Sequence, residues 1–274
     1  MQPMTMGVNA YSYIWTHGAD AVLHHLADMG YTEIELMIAP PHLWPADHDA
    51  AARAATRRIL EDRGLKIVSV NPPSLDQNLV SPVAEMRAYT VEMFRNIIEL
   101  AGDLGVQYVV TVTGRIHPLF APPKDQVWGW LRAGLEALIP HAEKAGVKIA
   151  LENIPMASLP LADDLMEFLD TMDSDRLCIC YDAANAEFVA EDPAQGLLRV
   201  APRLELVHVS DTKRDVWKHD PVGMGQVDFA AVAGALREIG YKGVTMMEII
   251  SHTPDADITA SHDKLAKMGW AGRP

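Results

Sequence analysis

Residues 84–112 read AEMRAYTVEMFRNIIELAGDLGVQYVVTV, and two periods meet in them. In the first part Met86, Tyr89, Met93, Ile97 and Leu100 recur at steps of three and four, the spacing of one helix face. The pattern stops at the glycine of DLGV, and a short β-rich run, Tyr108–Val112, follows. A glycine at that point fits a C-terminal cap that turns a helix into the next strand. The same junction recurs at DMGY, DRGL, KAGV and EIGY. Working outward from these junctions, strands are expected at Thr5–Ala10, Glu33–Met37, Lys66–Val70, Tyr108–Val112, Lys148–Glu152, Leu177–Asp182, Leu204–Val209 and Val244–Ile249. Eight strand–helix units in succession predict an α/β fold, a single (β/α)8 barrel. A doubly wound sheet is the competing arrangement, but no GxGxxG turn follows the first strand. With no Ser/Gly linker, low-complexity tract or charge block, one domain over residues 1–274 is expected.

Composition narrows the class of partner. The chain has 274 residues, 49% of them hydrophobic, so it has the apolar surface for a large core. A formal net charge of −14 repels polyphosphate at long range, which argues against nucleic acid as a partner. Cys178 and Cys180 sit one residue apart in RLCICYD, on one face of a strand, and read as small buried apolar side chains. The N-terminus MQPMTMGVNA lacks a basic segment followed by an apolar one, and no apolar run approaches ~18 residues. A cytoplasmic protein without a membrane anchor is the expectation, and a homo-oligomer through surface helices.

In such a barrel the working residues stand at the C-terminal ends of the strands. The last inward positions of the last four strands are Glu152 in KIALEN, Asp182 in CICYDAANA, His208 in LELVHVSD and Glu248 in VTMMEII. Parity agrees in each: Ala150 with Glu152, Cys178 and Cys180 with Asp182, Leu204 and Leu206 with His208, Val244 and Met246 with Glu248. Singly, Asp182 reads as a helix cap, His208 as a hydrogen-bonded core imidazole, and either glutamate as half of a buried ion pair. Together they aim three carboxylates and an imidazole at one point, where like charges repel unless a cation lies between them. The expected cofactor is a divalent metal, Mn²⁺ first, with Mg²⁺, Co²⁺ or Zn²⁺ as alternatives. Weaker candidates for substrate contact are Trp15, Glu35 and Arg115, with His42, Trp44 and His117 beside them in loops.

With these residues in place, the sequence resembles the xylose isomerase-like barrel superfamily and its sugar isomerase/epimerase members. The family pattern is Glu, Asp, His and Glu after strands five to eight, here Glu152, Asp182, His208 and Glu248. The segments HVSD and PVGMGQVDF within 208–229 and ELAGDLGVQYVV before strand four also look like the family's. The resemblance implies a metal-dependent sugar enzyme. It implies that Arg214, six residues after the histidine ligand, contacts the sugar. Ketose 3-epimerases of the family place a histidine three residues after the aspartate ligand; this chain has Asn185, which donates a hydrogen bond but carries no positive charge. DNA-repair endonucleases of the superfamily need an acid two residues before His219, where this chain has Trp217. His219 is a further candidate for substrate contact.

The chemistry expected of this set is proton abstraction next to a carbonyl through a metal-stabilised enediolate, with Glu152 and Glu248 as catalytic acid and base. Return of the proton to the other face gives epimerisation, and delivery to the neighbouring carbon gives isomerisation. Loss of a β-leaving group makes the enzyme a dehydratase or lyase on a keto-sugar, keto-glycoside or cyclic keto-polyol. A sugar-binding barrel without activity is the reading outside enzymes. The partner in every case is a small carbohydrate or polyol.

Overall fold

The structure is a computed structural model that describes residues 4–73 and 76–270. Eight parallel strands close into a barrel: β1 (Thr5–Asn9), β2 (Glu33–Met37), β3 (Lys66–Asn71), β4 (Tyr108–Val112), β5 (Lys148–Glu152), β6 (Leu177–Asp182), β7 (Leu204–Val209) and β10 (Val244–Met247). Neighbours around the barrel run β1-β10-β7-β6-β5-β4-β3-β2. The strands alternate with helices α1 (Ala19–Asp28), α2 (Ala50–Arg63), α3 (Ala84–Asp103), α4 (Lys124–Ala145), α5 (Ala162–Leu169), α6 (Ala183–Phe188), α7 (Pro193–Val200), α8 (Phe229–Glu238) and α9 (Pro254–Lys267). The (β/α)8 expectation therefore holds. The five junction glycines, Gly30, Gly64, Gly105, Gly146 and Gly240, all have positive φ, between 63° and 90°. That left-handed region is open to glycine without a Cβ clash, which is why the motif marks the turn.

Two apolar layers hold the barrel. Outside it, the helices pack one stripe each onto the strands. On α3 the buried residues are Met93, Phe94, Ile97, Ile98, Leu100 and Ala101, while Met86 and Tyr89, expected in the same stripe, are exposed. Of the first turns of α3 only Thr90 is buried, so the stripe continues past the ground the helix covers. Inside, Val68, Tyr108, Val110, Ala150, Cys178, Cys180, Leu206 and Met246 form a separate closed cluster. Burying one such aliphatic side chain is worth about 1.5–3 kcal/mol. This layer also sets the next one. Side chains alternate along a strand, so the positions two residues beyond Ala150, Cys180, Leu206 and Met246 are Glu152, Asp182, His208 and Glu248.

The segment 211–220 adds structure beyond the barrel strands. It forms an antiparallel hairpin of β8 (Asp211–Lys213) and β9 (Val216–Asp220). The buried Asp211 carboxylate gathers the chain behind it, accepting from the backbone N–H of Thr212, Gly223 and Val227 at 3.0, 2.8 and 3.1 Å. Both cysteines are free and buried, as expected. Among the described residues no helix is long and apolar enough to cross a membrane.

Candidate active site

Register brings the four strand-end residues together. Asp182 pairs with His208 across β6 and β7, and Met246, two residues before Glu248, pairs with His208 across β7 and β10. One ligand atom from each of Glu152, Asp182, His208 and Glu248 lies within 4.8 Å of all the others, and all four residues are buried. His208 is central. Its Nδ1 lies 3.3 Å from Glu152 Oε1 and 3.2 Å from Glu248 Oε2. Its Nε2 faces the other way, 3.2 Å from Glu35 Oε2.

Asp182 caps a helix with one oxygen and keeps the other on the cluster. Oδ1 accepts from the backbone N–H of Asn185 at 2.5 Å and caps α6. Oδ2 has no well-aligned hydrogen-bond donor among the described residues, and neither has Glu248 Oε2. A buried carboxylate oxygen left without a donor is costly, on the order of 1–3 kcal/mol or more. Two such oxygens beside an imidazole nitrogen are what a site for a hard divalent cation presents, so the residues fit that group. Burial pushes the carboxyls of Glu152 and Asp182 up to about 7. Burial opposes ionisation of Glu248 too, but the imidazoles of His219 and His208 hold it below the usual carboxylate range. Cys180 reaches the Glu152–His208 neighbourhood as well. Burial raises its thiol well above the ordinary range, so it stays protonated and is a poor ligand.

Above the cluster opens a cavity of about 760 Å³, whose floor includes Glu152, Asn185, His219 and Glu248 and whose wall includes Trp217. His219 Nδ1 lies 3.0 Å from Ser210 Oγ and 3.4 Å from Glu248 Oε2. Asn185 and His219, expected to contact substrate, both line this cavity. Others do not. Glu35, expected to touch substrate, is fully buried behind His208. Its carboxylate accepts from Asn9 Nδ2, from Ser69 Oγ and, at 3.4 Å, from Asn71 Nδ2. It holds the histidine from the far side of the barrel and has no face on the cavity. Arg214 is half exposed and turns to Glu187, with Nε 2.8 Å from Oε1; neither it nor Arg115 lines the cavity. Trp15 is 74% exposed and also lies outside the cavity lining. His42 is buried, its Nδ1–H donating to the His17 carbonyl at 2.8 Å.

The sequence reading missed Asn9, Ser69 and Asn71, which lie on β1 and β3. The signal was the same polar residue at a strand end, but only the last four strands were read that way. Trp217 was noticed solely as an absent acid.

The model of the xylose isomerase-like TIM barrel family matches residues 23–268. The chain belongs to this family. Among its relatives is an uncharacterized protein of Methanocaldococcus jannaschii, 31% identical over 69% of this chain and 66% of that one. Another family relative is L-ribulose 3-epimerase of Mesorhizobium japonicum, 26% identical over 85% of this chain and 78% of that one. A solved D-tagatose 3-epimerase-like protein superposes with a TM-score of 0.85 at 25% identity, covering 97% of both chains.

Proposed function

We propose that the protein is a divalent-metal-dependent epimerase of a free ketose, in which Glu152 and Glu248 move a proton at the carbon next to the carbonyl. The observation that carries this reading is the pair of glutamates converging on His208 Nδ1 from β5 and β10, both open to the cavity. One carboxylate takes the proton as the C–H electron pair moves towards the carbonyl oxygen, and the other returns a proton to the opposite face. A divalent ion held by Glu152, Asp182, His208 and Glu248 would supply positive charge beside that oxygen. His219 and Asn185 are placed to bind and orient hydroxyl or carbonyl oxygens. The epimerase names of the relatives support the same chemistry over isomerisation or elimination.

The substrate class follows from the charges around the cavity. Among the described residues, Asp220 and Asp257 face it beyond the two glutamates that would hold the ion, against the fixed cation Lys218. Arg115 and Arg214, the residues that would grip a phosphate, are absent from the lining. An uncharged polyhydroxy ketone suits that wall better than a sugar phosphate. The test is incubation of the manganese-loaded protein in D₂O with L-ribulose, D-tagatose and L-ribulose 5-phosphate. Deuterium should enter next to the carbonyl of a free ketose, with a product otherwise unchanged in composition and little turnover of the phosphate. No exchange into any ketose sinks the epimerase reading, and a product lighter by one water replaces it with a dehydratase.

A further inference from the structure

Positions 185 and 217 touch. Trp217 Nε1–H donates to Asn185 Oδ1 at 2.7 Å. An indole N–H only donates, so it decides which end of the amide it meets: Oδ1 turns to Trp217 and the two Nδ2 hydrogens turn away. There Nδ2 lies 3.5 Å from Glu152 Oε1, a long contact, and among the described residues it has no other acceptor. Asn185 is itself 1% exposed and anchored through its backbone to Asp182 Oδ1. The tryptophan is fixed in turn. Its ring stacks on Phe188 at a centroid distance of 6.3 Å, and the β8–β9 hairpin that carries it is tied to α6 by Arg214 and Glu187. Asn185, Trp217 and Glu152 all line the cavity.

We propose that Trp217 is a positioning residue that locks Asn185 as a fixed, uncharged hydrogen-bond donor to a substrate oxygen beside Glu152, and that this pair sets substrate preference among ketoses. The proposal rests on the epimerase reading of the site. Because Oδ1 is turned to Trp217, the amide presents N–H on the side of Glu152, so the group it meets there is an acceptor, a carbonyl or a hydroxyl lone pair. Being neutral, the amide selects by position and by hydrogen-bond geometry rather than by charge. It leaves positive charge beside a developing oxyanion to the divalent ion that Glu152, Asp182, His208 and Glu248 would hold. A free amide would present O or N with similar ease, and a buried mismatch against a substrate acceptor is costly.

Trp217→Phe removes the N–H and keeps a ring against Phe188. Expected is a fall in kcat/KM of about tenfold on the preferred ketose, the loss of one oriented hydrogen bond, with metal content and melting temperature unchanged. The ratio of rates on L-ribulose and D-tagatose should shift. Asn185→Ala should lower kcat/KM at least as far, and the double variant should be no worse than Asn185→Ala alone, because the indole acts only through the amide. Additive losses in that cycle, or a Trp217→Phe protein with parental rates and preference, overturn the proposal. A readout without turnover is the Asn185 side-chain amide by ¹⁵N NMR. Its two protons should be distinct and slow to exchange in the parent and should merge with the bulk asparagines in Trp217→Phe. Should Trp217→Phe fail to fold, the Asn185→Ala rate and the parent amide spectrum decide alone, and a parental rate or a freely exchanging amide refutes the lock. If the parent shows the locked amide yet exchanges deuterium into no ketose, the epimerase reading fails and takes the preference with it, while the lock remains as geometry.

Discussion

Glu35 shows how one buried carboxylate can support a candidate ligand, His208, from behind. With a cation on Nδ1, the His208 Nε2 proton would be donated to Glu35, and the ring would present its Nδ1 lone pair between Glu152 and Glu248. Glu35→Ala should weaken Mn²⁺ binding about 10- to 100-fold while Glu35→Gln, which keeps an acceptor oxygen, loses less. Competition with a chelator measures both, with His208→Ala as the reference for loss of the site. Equal affinity for all three variants and the parent would remove the metal reading itself. His42 carries a different residue-scale consequence. Burial drives its imidazole from 6.5 down to about 4, the nearby His17 and His48 push the same way, and the hydrogen bond to the His17 carbonyl opposes them. With a folded value below the unfolded one, the stability it contributes is whole above pH 6.5 and drains as pH falls towards 4. The full swing is on the order of 3 kcal/mol at most, from ~1.4 kcal/mol per unit. His42→Gln should flatten the fall in melting temperature between pH 6.5 and 4; an unchanged slope would assign the acid sensitivity elsewhere.

At the scale of the element, the hairpin β8–β9 and its return are held by close approach as much as by hydrogen bonds. A Cβ at Gly225 would stand 2.2 Å from the Thr212 carbonyl oxygen and 2.3 Å from Asp211 Oδ1, both buried and neither free to move. Gly225→Ala should therefore displace the return and loosen the hairpin, at about 1–3 kcal/mol, the usual range for an overpacked site. Thermal melting should show it. Because Trp217 and His219 ride on β9, KM for the ketose should rise while chelator-measured metal affinity changes little. Parental melting and KM would show that the return has room the geometry denies it. The sequence did not foretell the strand pairing. Alternation in KRDVWKHD is too short and too charged to signal a hairpin, and its pairing depends on where α6 and the end of β7 place it.

For the whole molecule, the ends of five barrel strands converge on one charged cluster. Glu35, Glu152, Asp182 and Glu248 crowd around His208, with His219 beside them. A cation that binds the folded chain alone stabilises it by mass action, about 2.7 kcal/mol at a hundredfold excess over its dissociation constant. On a barrel of this size that corresponds to roughly 5–10 °C. Melting the protein with Mn²⁺ and after chelation should show that gap, and the His208→Ala protein should not show it. Coincident melts for the parent would mean that no ion is held between these carboxylates.

The sequence by itself determined the strand–helix alternation, the glycine-marked junctions and the inward faces of the last four strands. Each is written in local periodicity, and parity then placed Glu152, Asp182, His208 and Glu248 on one layer. Only the tertiary structure decided what those residues touch. Glu35 on β2 and His208 on β7 are distant along the chain and meet because the barrel closes, which sets an expected substrate contact behind the imidazole instead. Arg214 met Glu187, and Trp217 met Asn185, because the hairpin settles on α6. Periodicity fixes which way a side chain points from its own strand; barrel closure and loop docking fix the partner waiting there.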